Sequence, residues 1–122
     1  MLLSIVIPFY NPMPHFIGVT ESLMPQVITN DTFKSNIEVI FVNDGSTDNS
    51  FDIARQYESF KNVRIINIAN GGVANARNIG LGYCSGRYVW FVDADDYIVP
   101  NAIKEIIKAV NYYDIITAII TA

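Results

Sequence analysis

The chain has 122 residues and 13.6 kDa, the size of one domain, and a chain this long buries roughly two thirds of the surface its unfolded form exposes. Hydrophobic residues make up 51% and charged residues 16%, which excludes a disordered chain. Eight Lys and Arg against twelve Asp and Glu give a net charge of −4, and the basic residues are scattered, which excludes a dedicated nucleic-acid surface.

In chain order, Leu2 to Ile7 forms the first apolar run. It follows Met1 with no Lys or Arg and meets Pro8 and Asn11 at once, so it is expected to be a strand and not a signal peptide. No segment reaches the ~18 consecutive apolar residues of a membrane span. Residues 13 to 28 place Phe16, Val19, Leu23 and Val27 on one helical stripe, with Pro25 expected to kink or end the helix early. Asn30-Asp31-Thr32 matches a glycosylation sequon, a pattern too short to carry weight here. Ile37 to Val42 is the second strand. Residues 48 to 60 follow as a helix with Ile53, Ala54, Tyr57 and Phe60 together and Thr47 or Asp48 as its N-cap. Val63 to Ile68 is the third strand and 73 to 84 the third helix. Tyr88 to Val92 is the fourth strand, and residues 100 to 111 form a helix with Ile103, Ile106, Ile107 and Val110 on one face. Asp114 to Ala122 is expected to be a fifth strand. The runs lack clean alternation, as central parallel strands covered on both faces do. The alternation of strand and helix predicts an α/β fold, a mostly parallel open sheet with helices on both faces and right-handed crossovers.

The polar clusters fall at the carboxyl end of every strand: Pro8-Phe9-Tyr10-Asn11, Asn43-Asp44-Gly45-Ser46, Asn70-Gly71-Gly72 and Asp93-Ala94-Asp95-Asp96. In open α/β sheets that edge binds ligands. In extended backbone Asp93 and Asp95 point the same way, and two converging carboxylates call for a hard divalent cation such as Mg²⁺ or Mn²⁺. The alternative is a solvated acidic turn, with Asp96 or Asn101 near the cap of the next helix. Asp44 follows the second strand too early to cap the helix after it. Its carboxylate suits the ring N–H of a uracil or the hydroxyls of a ribose. Gly71 and Gly72 at a helix start offer backbone amides to a phosphate, and Arg77 adds a planar cation one turn in. A plain glycine-rich turn with a solvated Arg77 explains the same residues. Gly80, inside a helix, predicts a close packing contact. Tyr10 ends the first strand where a base could stack. No P-loop pattern occurs, and Gly80-x-Gly82 lacks the glycine spacing of the dinucleotide fingerprint and falls at a helix end. The single histidine, His15, is expected to be a surface or structural residue. The single cysteine, Cys84, excludes an internal disulfide and a Cys-built zinc site and is expected to be a small buried side chain.

Together Ser4-Ile5-Val6-Ile7-Pro8-Phe9-Tyr10-Asn11, Asn43-Asp44-Gly45-Ser46-Thr47-Asp48, the Gly72 to Gly80 stretch with Ala76-Arg77-Asn78, and Phe91-Val92-Asp93-Ala94-Asp95-Asp96 resemble the family 2 glycosyltransferases, in their order and over essentially the whole chain. The resemblance implies the Rossmann-like GT-A fold and inverting transfer of a sugar from a nucleotide-diphosphate sugar, UDP-sugars favoured, to an acceptor glycan or lipid-linked glycan, in surface polysaccharide synthesis. It places Pro8, Tyr10, Asn11, Asp44, Arg77 and Asp93 at the nucleotide, and Asp93 and Asp95 on Mn²⁺ or Mg²⁺. It implies a cytoplasmic protein, with peripheral association at the inner membrane face as its further expectation. Asn43 stands where many members carry Asp. The family's catalytic base and acceptor-binding segment match nothing in residues 1–122, so the chain is expected to be the nucleotide-sugar-binding part of a longer protein, truncated at its C-terminus, with no catalytic base of its own. The alternative is a non-catalytic nucleotide-sugar-binding module or an inactive fragment. A receiver-type signalling domain would want acids after strand one, and a nucleotidyltransferase a glycine- and basic-rich loop there; neither is present.

Overall fold

A computed structural model of the chain describes residues 1–112. Four strands, β1 (Leu3–Phe9), β2 (Ile37–Asp44), β3 (Val63–Ile68) and β4 (Tyr88–Phe91), form one sheet in the order β3-β2-β1-β4, and every pairing is parallel. Five helices connect or follow them: α1 (Phe16–Ile28), α2 (Asp31–Asn36), α3 (Ser50–Arg55), α4 (Val73–Gly82) and α5 (Ala102–Tyr112).

The twofold alternation of a strand sorts β1 between two layers. Leu3, Ile5, Ile7 and Phe9 join the main core with the apolar stripe of α1, with Ala54 of α3 and with Ile103 of α5. Val6 faces the other way and packs with Ile40, Val42 and Ala76 of α4. Helices therefore cover both faces, as expected. At the carboxyl end Phe16 lies 4.6 Å from Phe9 and 6.0 Å from Phe41 between ring centroids, which fixes the start of α1 over the sheet. Gly80 supplies the close approach on the α4 side, where a Cβ would lie 2.5 Å from Val6 Cγ1.

Several expectations needed correction. Among the described residues only β1 and β2 are buried on both faces, β3 and β4 lie at the two sides of the sheet, and Phe91 on β4 is 36% exposed. Helix α1 begins at Phe16 rather than 13 and runs on through Pro25 to Ile28. Pro25, which has no N–H to donate, lies on the exposed side of the helix, while Met24 and Val27 beside it are fully buried, so packing outweighs the missing bond. Helix α2 was not expected; Asn30, the first residue of the sequon, is its N-cap and accepts the Phe33 N–H at 3.1 Å. The helix read over 48 to 60 is α-helical only over Ser50–Arg55 and continues to Phe60 in turns bonded three residues back. Helix α4 ends at Gly82 rather than 84, and α5 starts at Ala102 because Asn101 takes a left-handed φ of 66°. The expected strand at 114–122 lies outside the described residues. Cys84 is half-buried, not fully buried, and burial raises its thiol pKa. His15 is exposed, directly before α1. No helix among the described residues is long and apolar enough to cross a membrane.

Candidate functional site

Strands β1 and β4 are neighbours, yet the chain reaches β4 only after building β2 and β3 on the other side of β1. That reversal opens a crevice beyond their carboxyl ends, the place where open parallel sheets bind ligands. A cleft of about 360 Å³ lies at this edge, lined by Pro8 near the end of β1 and Tyr10 just after it, Asp44 at the end of β2, Asn70 and Gly72 before α4, and Val73 on its first turn. Tyr10 is 53% exposed and Val73 55%, so two apolar surfaces stand free at the cleft. A larger hollow, about 670 Å³, lies between the end of α1, α2 and α5, but no carboxylate lines it.

Asp44 is 3% exposed and sits in the cleft wall. The Gly71 N–H donates to its Oδ1 at 2.9 Å and the Gly72 N–H to its Oδ2 at 3.1 Å, while the Asn70 amide donates to the Asp44 carbonyl at 3.1 Å. The two amides offered to a phosphate by the sequence pattern thus have a carboxylate partner within the chain. Nothing in the sequence pattern signals this, because Asp44 ends β2 and Gly71 lies in the loop after β3. Gly45 is the hinge that permits it: its φ is +79°, and a Cβ there would lie 2.9 Å from the Asn70 nitrogen. An ionised carboxylate has about four lone-pair positions, so Asp44 keeps acceptor capacity toward the cleft.

Asn11 takes a left-handed φ of 47°, and its Oδ1 accepts the Thr47 N–H at 2.7 Å and the Asp48 N–H at 3.1 Å. Its side chain braces the β2–α3 loop, and it is not among the residues that line the cleft. Asp48 accepts from the Met13 N–H at 3.1 Å and from the Ser50 N–H at 3.0 Å. Burial works to raise its pKa, but the Ser50 hydroxyl and these backbone donors outweigh it and hold the carboxyl below its ordinary value. Asn43 donates to Asn67 Oδ1 at 3.0 Å and accepts the Ser46 N–H at 3.0 Å, linking β3 to the Gly45 turn.

Beyond β4, carboxylate oxygens of Asp93, Asp95 and Asp96 all lie within 4.8 Å of one another. Asp93 and Asp95 come together, but across a turn at Ala94 and Asp95 and not along the extended backbone the spacing argument assumed. Asp96, expected near the cap of the next helix, joins them instead; three acids in four residues are the signal for it. Its carboxylate accepts the Asp93 N–H at 3.1 Å and closes the turn. Burial comes first in raising its pKa, with the charges of Asp93 and Asp95 adding to it. Arg77 on α4 donates to Asp93 Oδ1 at 3.2 Å, with both side chains substantially exposed. Arg77 follows Ala76, which lines the cleft, and so ties the cleft wall to the acids. Val73 is the cleft residue that sequence reasoning missed; an apolar side chain at a first helical position, off any core stripe, was its only signal.

Residues 4–121 match the family described as Glycosyl transferase family 2. The chain belongs to that family. It is 45% identical over 100 residues to the uncharacterized glycosyltransferase YibD of Escherichia coli K12, an overlap that covers 81% of this chain and 27% of YibD. It is 37% identical over 109 residues to the minor teichoic acid biosynthesis protein GgaA of Bacillus subtilis 168, covering 86% of this chain and 24% of GgaA. The structure of S. aureus TarS 1–349 in complex with UDP-GlcNAc superposes with a TM-score of 0.80 at 30% identity, covering 93% of this chain and 32% of that one. The fold is thus the GT-A type. The chain spans about a third or less of the length of these relatives.

Proposed function

We propose that residues 1–122 are the nucleotide-sugar-binding part of an enzyme that transfers a sugar from a nucleotide-diphosphate sugar to an acceptor hydroxyl with inversion, in surface polysaccharide synthesis. The observation that carries this reading is the cleft at the carboxyl ends of β1 and β2 against the start of α4, where a buried acceptor (Asp44) and exposed apolar surfaces (Tyr10 and Val73) meet. The complex of TarS with UDP-GlcNAc supports a UDP-sugar as the donor. Tyr10 stacks on the base, Asp44 accepts its ring N–H, and Pro8 shapes the wall between them. Asn11 acts through the loop it braces. Arg77 faces the diphosphate side, where its bond to Asp93 sets the guanidinium.

Asp93 and Asp95 fit a hard divalent cation, Mn²⁺ or Mg²⁺: they are exposed, acceptor-only oxygen donors brought together on one turn. When bound, the ion neutralises charge on the departing diphosphate. Asp93 turns one oxygen to Arg77, and the Asp96 carboxylate holds the turn's backbone. The acceptor is a glycan or lipid-linked glycan, and the place of action the cytoplasm, at the inner face of the membrane where the acceptor is lipid-linked. No residue among those described is assigned as the base that deprotonates the acceptor. Calorimetric titration with UDP, GDP and dTDP, each with Mn²⁺ and in excess chelator, tests the reading. Metal-dependent binding of UDP is expected, and failure of all three nucleotides to bind overturns it.

A further inference from the structure

Residues 97–101 join the acidic turn to α5 and belong to neither sheet nor helix. Ile98 is only 4% exposed, so its N–H is shut off from water and needs an internal acceptor. Ser22 on α1 provides it: its Oγ accepts the Ile98 N–H at 2.9 Å and donates to the Gly18 carbonyl at 2.6 Å. Gln26, one helical turn on, uses both ends of its amide. Its Nε2 donates to the Val99 carbonyl at 3.0 Å and its Oε1 accepts the Ile103 N–H at 3.0 Å. Two side chains at i and i+4 on α1 therefore hold three backbone groups downstream of the acids. Upstream, the Val92 N–H donates to the Val6 carbonyl at 2.9 Å and fixes the end of β4 to the sheet. The turn that carries Asp93, Asp95 and Asp96 hangs between these two anchors, and only the downstream one is built from side chains.

We propose that Ser22 and Gln26 are positioning residues for the metal site, holding the acidic turn in the geometry in which its carboxylates converge. The proposal rests on reading Asp93 and Asp95 as metal ligands. The chemistry at 26 is specific: an amide both donates and accepts, whereas a carboxylate or an ammonium does only one of these. Groups hydrogen-bonded directly to metal ligands typically change metal affinity 10–100-fold when removed; Ser22 and Gln26 act one step further back, on the backbone of residues 98, 99 and 103.

The test measures Mn²⁺ binding to the full chain in the presence of UDP, from the electron paramagnetic resonance signal of free Mn²⁺, beside metal-free binding of uridine by calorimetry. Gln26→Leu is expected to weaken Mn²⁺ binding about tenfold, the low end of that range, and to leave uridine affinity within twofold. Ser22→Ala is expected to shift Mn²⁺ binding in the same direction, and Ser22→Thr, which keeps the hydroxyl, to restore it; should Gln26→Leu fail to fold, the Ser22 pair decides. Unchanged Mn²⁺ affinity in the variants overturns the proposal, as does an equal loss of Mn²⁺ and uridine affinity, the mark of general loosening. A wild-type chain that binds UDP but no Mn²⁺ overturns the metal reading itself, and the wild-type arm alone shows that failure.

Discussion

Helix α4 carries Val73, Ala76 and Arg77, so the cleft depends on how closely that helix lies on the sheet. Gly80 sets the approach: a Cβ added there would lie 2.5 Å from Val6 Cγ1 and 3.0 Å from Val42 Cγ2. Both valines are fully buried, and β-branched side chains on a central sheet have little freedom to turn aside. Overpacking of this kind costs about 1–3 kcal/mol, and a 2.5 Å contact belongs at the upper end. Alanine returns about 1 kcal/mol of helix propensity, so Gly80→Ala is expected to destabilise by about 2 kcal/mol net. Gly82, in the same helix with nothing within 4 Å of its added Cβ, is the control, and Gly82→Ala is expected to be neutral or to stabilise by up to about 1 kcal/mol. Urea unfolding of both variants measures the difference. Val6→Ala in the Gly80→Ala background removes the clashing methyl and is expected to recover part of the loss, a coupling between neighbours. Uridine affinity should fall in Gly80→Ala as α4 lifts. A Gly80→Ala protein as stable as Gly82→Ala would refute the close-approach argument.

Asp44→Ala is expected to weaken UDP and uridine binding by the same amount, roughly 1–3 kcal/mol, since the lost bond is to the base; a loss seen with UDP alone would move Asp44 to the phosphates. Asp95→Ala is expected to abolish the Mn²⁺ dependence of nucleotide binding, and equal UDP affinity with metal and in excess chelator for the wild-type chain would sink the metal assignment. Asp48 has a carboxyl held below its ordinary pKa, because its hydrogen bonds outweigh the opposing effect of burial. Its contribution to stability is therefore complete above the ordinary aspartate range and is lost as pH falls through the depressed folded-state value. Asp48→Asn is expected to be less stable at pH 7 with a shallower acid limb in urea midpoints measured from pH 7 to pH 3, and parallel limbs would contradict that.

The fold was legible where periodicity and burial agree. The α1 stripe of Phe16, Val19, Leu23 and Val27 is wholly buried, β2, β3 and β4 begin where their apolar runs begin, and β1 begins one residue later. Misreadings came from competition the sequence does not display. Pro25 argued for a helix end, but burial of Met24 and Val27 on either side of it prevailed. Asn101 adopts a left-handed φ, so the helix expected from residue 100 starts at Ala102, a stop that apolar periodicity does not display. Which strands are central and which are edges is a property of topology, so the exposure of Phe91 could not be deduced from an apolar run.

At the site the difficulty is chemical, because the residues that suit a nucleotide also suit a loop. Asn11, Asn43, Asp44 and Asp48 each bond to backbone or side chain in another segment, and together they fasten the loops after β1, β2 and β3 to one another. Such loops leave backbone N–H groups without ladder partners, and short acceptor side chains are the means of satisfying them. A motif of Asn and Asp at strand ends therefore records two demands at once, bracing and binding, and spacing cannot divide them. Geometry separates them by direction and spare capacity. Asn11 meets two amides of a neighbouring loop and is not part of the cleft wall, so its part is bracing. Asp44 meets two amides as well, yet it lines the cleft and retains lone pairs beyond those two bonds, so bracing sharpens its aim: a carboxylate held by Gly71 and Gly72 presents its remaining acceptor positions in a fixed direction before any ligand arrives.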